Sequence, residues 1–332
     1  MKEKYHSCNR CNISYYSAMT YSEVNIIAVD ADYEGQRIDN FLLARLKGVP
    51  KSRIYRLLRK GEVRVNKKRI KPTYKLLAGD QVRIPPVRTA TVKVGQLTPN
   101  LEKLLASSVL YEDADLMVLN KPAGLAVHGG SGVSLGLIEA LRQWKGSSVL
   151  ELAHRLDRDT SGCIIVAKKR SMLRFLQQGF REGAINKVYH ALVVGEWPKR
   201  LKKINKPLLK NAKASDGRTV SVAMIDMVGA KPSVTHFSIL ESFKHATLVE
   251  ARPVTGRTHQ IRVHCQSAGC SIVGDDKYTT SEINKQFRER GAKRLFLHAL
   301  NVSFNLPDGR LMSVSAPVGD EWLRSVKQLK CL

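Results

Sequence analysis

His154-Arg155-Leu156-Asp157-Arg158-Asp159-Thr160-Ser161-Gly162 lies between two apolar runs, Val149-Leu150-Glu151-Leu152-Ala153 and Cys163-Ile164-Ile165-Val166-Ala167. Short apolar runs flanking a polar turn spell strand, tight connection, strand. A carboxylate in such a connection stands at the mouth of a sheet, partly shielded from water, with cations beside it. The plainer alternative is a charged surface hairpin whose Asp and Arg side chains pair locally, which contributes little. Composition alone does not choose between the two.

Outward from this stretch, Val109-Leu110-Tyr111, Leu116-Met117-Val118-Leu119, Lys187 to Val194, Thr235 to Leu240 and Leu248 to Ala251 read as strands. Ser134 is placed to cap a helix with Ile138, Leu141 and Trp144 inward, and Ser171 starts another with Leu173, Leu176 and Phe180 on one face. Strands dominate and no βαβ repeat appears, so residues 108–332 are expected to form a mixed, mainly antiparallel α+β domain with flanking helices. Taken alone, Arg262 in Gln260-Ile261-Arg262-Val263-His264 reads as an alternating strand cation at a surface. Cys265 beside His264 would then face the opposite side, which argues against a nucleophile. The loop His128-Gly129-Gly130-Ser131-Gly132 lacks the lysine and spacing of a phosphate-cradling loop, so no nucleotide cofactor is expected. Residues 200–245 are the least legible part, basic, with Gly217 and Gly229 as turn residues.

Upstream, residues 24–87 form a separate small module of two helices plus a small sheet. Ile38, Phe41 and Leu42 have helical spacing, Pro50 breaks it, and Ser52 is placed to cap a second helix that Gly61 ends. Asn66-Lys67 makes a turn, and Gln81 to Ile84 is a strand stopped by Pro85-Pro86. Between Gly35 and Arg88 there are 16 Lys/Arg against 3 Asp/Glu, so half of the net charge occupies under a fifth of the length. A solvated helix face normally mixes signs. This one does not, and Arg37, Lys51, Arg53, Arg56, Lys60 and Arg64 are the candidate RNA phosphate contacts. Residues 88–107 read as a linker and 1–23 as a loose tail in which Met19 is a candidate start.

A net charge of +26 on 332 residues points to a polyanionic partner. An anionic membrane is the competing one, but no run of 18 apolar residues is present, nor an apolar leader, so the expectation is a cytoplasmic protein with no membrane partner. Six cysteines, at 8, 11, 163, 265, 270 and 331, do not make a disulfide framework in a chain this long. Cys8 and Cys11 have the spacing of half a zinc site, but no second pair follows, so no metal is expected.

The pattern EGQRIDNFL…KSRIYRLLRKGEVRVNKKRI…AGDQVRI (residues 34–84) resembles the small RNA-binding domain shared with ribosomal protein S-four. Four further stretches occur in fixed order: LNKPAGLAVHGG (119–130), HRLDRDTSG (154–162), KVYHALV (187–193) and GRTHQIRVH (256–264). Together they resemble the RluA family of pseudouridine synthases and, with the basic module in front, its branch acting on large-subunit (23S) ribosomal RNA. The tail before Met19 and the stretch 211–232 depart from the pattern. The resemblance implies an isomerase that needs neither cofactor nor metal, with Asp157 as its essential carboxylate and Arg262 as the paired arginine. It also implies that Tyr189 stacks on the detached uracil and helps remove the carbon 5 proton, and that Arg155 fills the space of the extruded base. His154, His259 and His264 are read as structural hydrogen-bonders and the protein as a monomer. Two other readings stay open: a non-catalytic ribosome-assembly factor, and a synthase of the same family acting on transfer RNA.

Overall fold

The computed structural model describes residues 23–46, 48–87, 95–130, 133–211, 219–224 and 226–330. The candidate start Met19 and the Cys8/Cys11 pair lie outside them. The chain divides into two compact units between Gln96 and Leu97.

In the first unit, β1 (Asn25–Ala28), α1 (Ile38–Arg45), α2 (Lys51–Lys60), β2 (Arg64–Val65), β3 (Lys68–Arg69) and β4 (Gln81–Ile84) follow in order. The strands form one sheet, β1-β4-β2-β3. Asn66 and Lys67 both take positive φ (48° and 66°), the geometry that closes a two-residue hairpin between β2 and β3. Ile38, Phe41 and Leu42 of α1 meet Ile54, Leu57 and Leu58 of α2 in a core closed by Val82 and Ile84 of β4. Gly61 ends α2 in the left-handed conformation. Pro50, not Ser52, occupies the N-cap of α2, because the ring presets the turn and leaves the serine one residue inside the helix.

The second unit begins with α3 (Pro99–Ser108), where a linker was expected. Thr98 caps this helix, Pro99 sits at its first position, and Leu105 is fully buried against the sheet. Leu101, Leu104 and Leu105 have helical spacing behind Thr98-Pro99, a signal that the reading of 88–107 as a linker passed over. Then come β5 (Val109–Glu112), β6 (Leu116–Lys121), α4 (Leu137–Lys145), β7 (Glu151–Leu152), β8 (Ser161–Ala167), α5 (Arg170–Glu182) and β9 (Asn186–Val194). The N-cap of α4 is Gly136 rather than Ser134: Glu139 turns back to accept from the Gly136 and Gly129 amides. The chain continues through β10 (Lys203–Asn205), β11 (Leu208–Lys210), β12 (Val220–Val222), β13 (Val234–Ser242), β14 (Ala246–Pro253), α6 (Gln260–Ser267), α7 (Ser281–Glu289), β15 (Leu297–Asn305), β16 (Leu311–Ser315) and α8 (Asp320–Lys330).

Ten of these strands make one sheet, β10-β13-β14-β9-β15-β8-β6-β5, with β16 on β15 and β7 on β8. All pairings are antiparallel except β15 with β8. Every residue of β8 is buried. Ile164 and Val166 pack under α4, and Cys163, Ile165 and Ala167 pack under α5, so the strand is apolar throughout rather than alternating. No helix among the described residues is long and apolar enough to cross a membrane.

The segment carrying Arg262 is the helix α6, not a strand. Its first six residues, Gln260 to Cys265, are all buried, so no polar face marks the helical period. The five-residue alternation Gln-Ile-Arg-Val-His therefore imitates a strand.

Candidate active site

The β7–β8 connection opens with Ala153, whose N–H donates to Ile165, and turns back where the Thr160 amide donates to the Asp157 carbonyl. Asp157 thus sits at the tip of a hairpin whose second strand is fixed in the middle of the sheet. Gly162 makes this possible. Its φ is +109°, and a Cβ there would overlap the backbone of Ala299, its partner on β15. Behind the turn, Lys121 is completely buried, and its Nζ donates to the carbonyls of Pro122, Leu125 and Arg158 at 2.8, 2.9 and 2.8 Å. Burial pushes the Lys121 ammonium down to about 7, against the pull of Asp159 and Asp157. Three carbonyl partners call for the three N–H bonds that only the ammonium supplies. Gly124 N–H adds a second tie to the Arg158 carbonyl.

Arg262 comes to Asp157 from 105 residues away: its Nη1 donates to Asp157 Oδ2 at 3.0 Å. The other edge of the guanidinium is held by Asp275, Nε to Oδ2 and Nη2 to Oδ1, both at 2.7 Å. Asp275 is 1% exposed and Arg262 5%, so this bidentate pair is well shielded from solvent. Burial opposes the Arg262 charge, but the hydrogen bonds and charge of Asp275, with Asp157 adding to them, outweigh it and hold the guanidinium above the usual arginine range. Asp157 remains open to the cleft, its side chain 28% exposed.

A cleft of about 660 Å³ is lined by Asp157, Arg155, Tyr189, His259 and Arg262 among others. Tyr189 reaches it from β9, between Ala251 on β14 and Ala299 on β15. Burial first, and then the negative charge of Asp157, push its phenol well above the usual tyrosine value. The hydroxyl therefore stays protonated. Arg155 is exposed at the rim.

Of the three histidines, two are built into the scaffold. His154 accepts the Ile165 N–H at 3.0 Å and stacks on Phe180. His264 lies between the hydroxyls of Ser233 and Thr235. His259 differs: its Nε2 is 3.8 Å from Asp157 Oδ2. Asp275 and Lys121 are the site neighbours to which the sequence reading gave no role, and His259 was read only as a structural hydrogen-bonder. A buried arginine needs a buried acid, and Gly274-Asp275 follows α6 closely, which is the one available signal for Asp275. Lys121 and His259 lie within two of the four motifs, but their partners, backbone carbonyls and a distant loop, leave no mark in the sequence.

In the first unit Lys51, Arg53, Arg56 and Lys60 are exposed along α2. Arg64 is exposed on β2 and donates to the Gly61 carbonyl at 3.2 Å. Arg37 is already committed: Nε and Nη2 grip Asp39 at 3.1 and 2.7 Å, and Asp39 also accepts from the Tyr55 hydroxyl at 2.8 Å. Among the described residues, no group of three or more His, Cys, Asp or Glu side chains is placed to hold a metal ion.

A mixed, mainly antiparallel sheet with flanking helices, preceded in the chain by a small basic module of two helices and a sheet, is the architecture that the resemblance to RNA pseudouridine synthases implies. Comparison with known proteins agrees: residues 115–267 match the RNA pseudouridylate synthase family and residues 36–82 the S4 domain. The chain is 53% identical to the ribosomal large subunit pseudouridine synthase C of Escherichia coli K12, over 92% of this chain and 97% of that one. It is 52% identical to the protein of the same name from Pasteurella multocida, over 92% and 94%. Among solved structures, human RNA pseudouridylate synthase domain containing 4 matches with a TM-score of 0.56 at 26% identity, over 69% of this chain and 95% of that one. The chain belongs to the RluA family of pseudouridine synthases.

Proposed function

We propose that this enzyme isomerises uridines of large-subunit ribosomal RNA to pseudouridine, with Asp157 as the essential carboxylate. The reaction breaks the bond from the ribose anomeric carbon to uracil nitrogen 1, turns the base and joins carbon 5 to the sugar. Nitrogen 1 gains the proton that carbon 5 loses, so the product is an isomer. Positive charge builds on the sugar as the first bond breaks, and a nearby carboxylate stabilises or traps it. Asp157 suits this role: it faces the cleft, and its Oδ2 is steadied by Arg262 at 3.0 Å. That contact is the observation which carries the proposal. Two routes use the same oxygen atoms, attack on the anomeric carbon and removal of the 2′ proton.

Tyr189 offers its ring to the detached uracil. Its raised pKa makes it a poor match for proton removal near neutral pH, so positioning and hydrogen-bond donation are the better reading. Arg155, exposed at the rim of the cleft, takes the gap left by an extruded base in this reading. Arg53, Arg56 and Lys60 of α2 supply phosphate contacts from the S4 domain. The ribosomal substrate is taken from the relatives' names and the basic module.

The deciding experiment maps pseudouridines in total RNA from cells with the gene, without it, and with Asp157→Asn. Sites in large-subunit ribosomal RNA should disappear in the latter two, while purified Asp157→Asn protein binds RNA as the wild type does. Loss of sites in transfer RNA alone would transfer the proposal to that substrate. Sites that persist with Asp157→Asn would remove Asp157 from its role.

A further inference from the structure

The imidazole of His259 stands 3.8 Å from the Asp157 carboxylate, and its other nitrogen is spoken for. Nδ1 is 2.7 Å from the Tyr278 hydroxyl. That hydroxyl accepts the backbone N–H of Val220 at 2.9 Å, from the hairpin of β11 and β12. Tyr278 is 9% exposed, and its ring also lies under the Arg262 guanidinium, 5.1 Å from ring centre to Cζ. It therefore touches both cationic or potentially cationic groups that approach Asp157.

Hydrogen-bond direction follows from the donor count. An amide N–H can only donate, so the Val220 bond uses a lone pair of the Tyr278 oxygen. Pointing the phenolic proton at Nδ1 satisfies both groups, whereas an Nδ1–H donated to the phenol oxygen would leave the Tyr278 O–H with no acceptor among its contacts in the described residues; Nδ1 is therefore assigned as the acceptor and the imidazole proton to Nε2. Nε2 is the nitrogen that faces Asp157. The backbone of His259 reinforces this placement, since it takes the left-handed conformation, φ 52° and ψ 20°, just before α6. A non-glycine residue persists there only when its surroundings fix it.

We propose that Val220, Tyr278 and His259 form a positioning relay that keeps a neutral imidazole N–H, and not an imidazolium, directed at the Asp157 carboxylate. This rests on the reading of Asp157 as the catalytic carboxylate. Asp157 already carries one full positive partner in Arg262. A second would draw its charge further and make it a weaker nucleophile or base, whereas a neutral imidazole 3.8 Å away, beyond hydrogen-bond distance, lines the site without quenching that charge. The phenolic O–H opposes protonation at Nδ1 directly. The charged groups around the imidazole are Asp157 from the β7–β8 loop, Arg262 from α6, and Asp275 and Lys277 from the segment that follows. Burial, Arg262 and Lys277 favour the neutral ring, and the two aspartates oppose them. The relay also makes the β11–β12 hairpin part of the site through a single backbone amide, although no side chain of that hairpin is needed in the chemistry.

The test uses the full-length enzyme and a protein-free transcript of large-subunit ribosomal RNA, with kcat and KM measured from pH 5.5 to 9. Tyr278→Phe should lower kcat about tenfold near pH 6 and little at pH 8.5, with KM within about twofold throughout, because an unblocked Nδ1 takes a proton more readily (the 1.36 kcal/mol equivalence of a tenfold effect is one pKa unit). His259→Gln, whose amide N–H replaces Nε2–H without titrating, should restore a flat acid limb in combination with Tyr278→Phe. A Tyr278→Phe enzyme with the wild-type pH profile, or one reduced by the same factor at every pH, overturns the relay. Imidazole nitrogen NMR of the wild-type protein gives a reading that needs no variant: protonated Nε2 with bare Nδ1 at neutral pH supports it, and the opposite tautomer or an imidazolium overturns it. Asp157→Asn run in parallel separates the two proposals, since activity retained there defeats the catalytic assignment whatever Tyr278→Phe shows.

Discussion

Asp275 never faces the substrate cleft, yet the carboxylate that does depends on it. It consumes two of the guanidinium's N–H directions and leaves Nη1 for Asp157, which fixes the rotation of the fork. A lysine would deliver one point charge without that orientation. Removing Asp275 takes from Arg262 its bidentate, fully shielded partner and leaves only the single contact to the part-exposed Asp157, and breaking a buried pair costs about 3–5 kcal/mol. We expect Asp275→Ala to lose about that much stability in urea unfolding, and to lose activity even where it is folded. A variant within about 1 kcal/mol of wild type would mean that the pair is not the clamp described above.

Helix α2 and the β7–β8 hairpin divide the work at the next scale. On α2, Ile54, Leu57 and Leu58 are inward, while Arg53, Arg56 and Lys60 recur at helical spacing on the exposed side. Nothing acidic stands in the first turn to neutralise them. If these three side chains contact phosphate, Arg53→Ala, Arg56→Ala and Lys60→Ala combined should weaken RNA binding. The slope of log K against log salt should also become shallower by about 2, at roughly 0.7–0.9 per lost contact. Filter binding across a salt series reads this, and an unchanged slope removes α2 from the interface. The hairpin needs rigidity instead. Its tip is tied by Lys121 and Gly124 to the Arg158 carbonyl, and its second strand is locked beside Ala299 by the absence of a side chain at Gly162.

Across the catalytic unit as a whole, several histidines are held neutral by the packing around them. Burial depresses His154 to about 3 and His298 to about 4. His298 is 1% exposed, placed between the Ser161 hydroxyl and the Ala316 carbonyl. In the unfolded chain both rings titrate near the ordinary histidine value of about 6.5. Below that pH the unfolded chain binds protons that the folded one refuses, so stability falls as the solution is acidified. The loss continues until the folded pKa values are reached, at up to about 1.4 kcal/mol per pH unit for each ring. The stability read by urea unfolding should therefore fall steadily from about pH 6.5 towards pH 4. Stability independent of pH over that range would show that these rings are not held neutral.

The basic module, the apolar strands β6, β8 and β9, and the order of the four motifs were readable in the chain because each is local: charge density, residue alternation and spacing survive without tertiary contacts. Asp157, Tyr189 and Arg262 were singled out on the same footing, as positions within motifs. Helix α3 was legible too, in the spacing of Leu101, Leu104 and Leu105 behind Thr98-Pro99, but was passed over as a linker; what the local pattern does not carry is α6, whose first six residues are all buried, so that no polar face marks its period. Nor does it carry the partners of the site. Asp275 behind Arg262, three carbonyls around Lys121 and a backbone amide behind Tyr278 lie 13, up to 37 and 58 residues from the groups they hold, and Arg262 lies 105 from Asp157; no local period links positions so spaced, and hydrogen-bond geometry of that kind exists only in three dimensions.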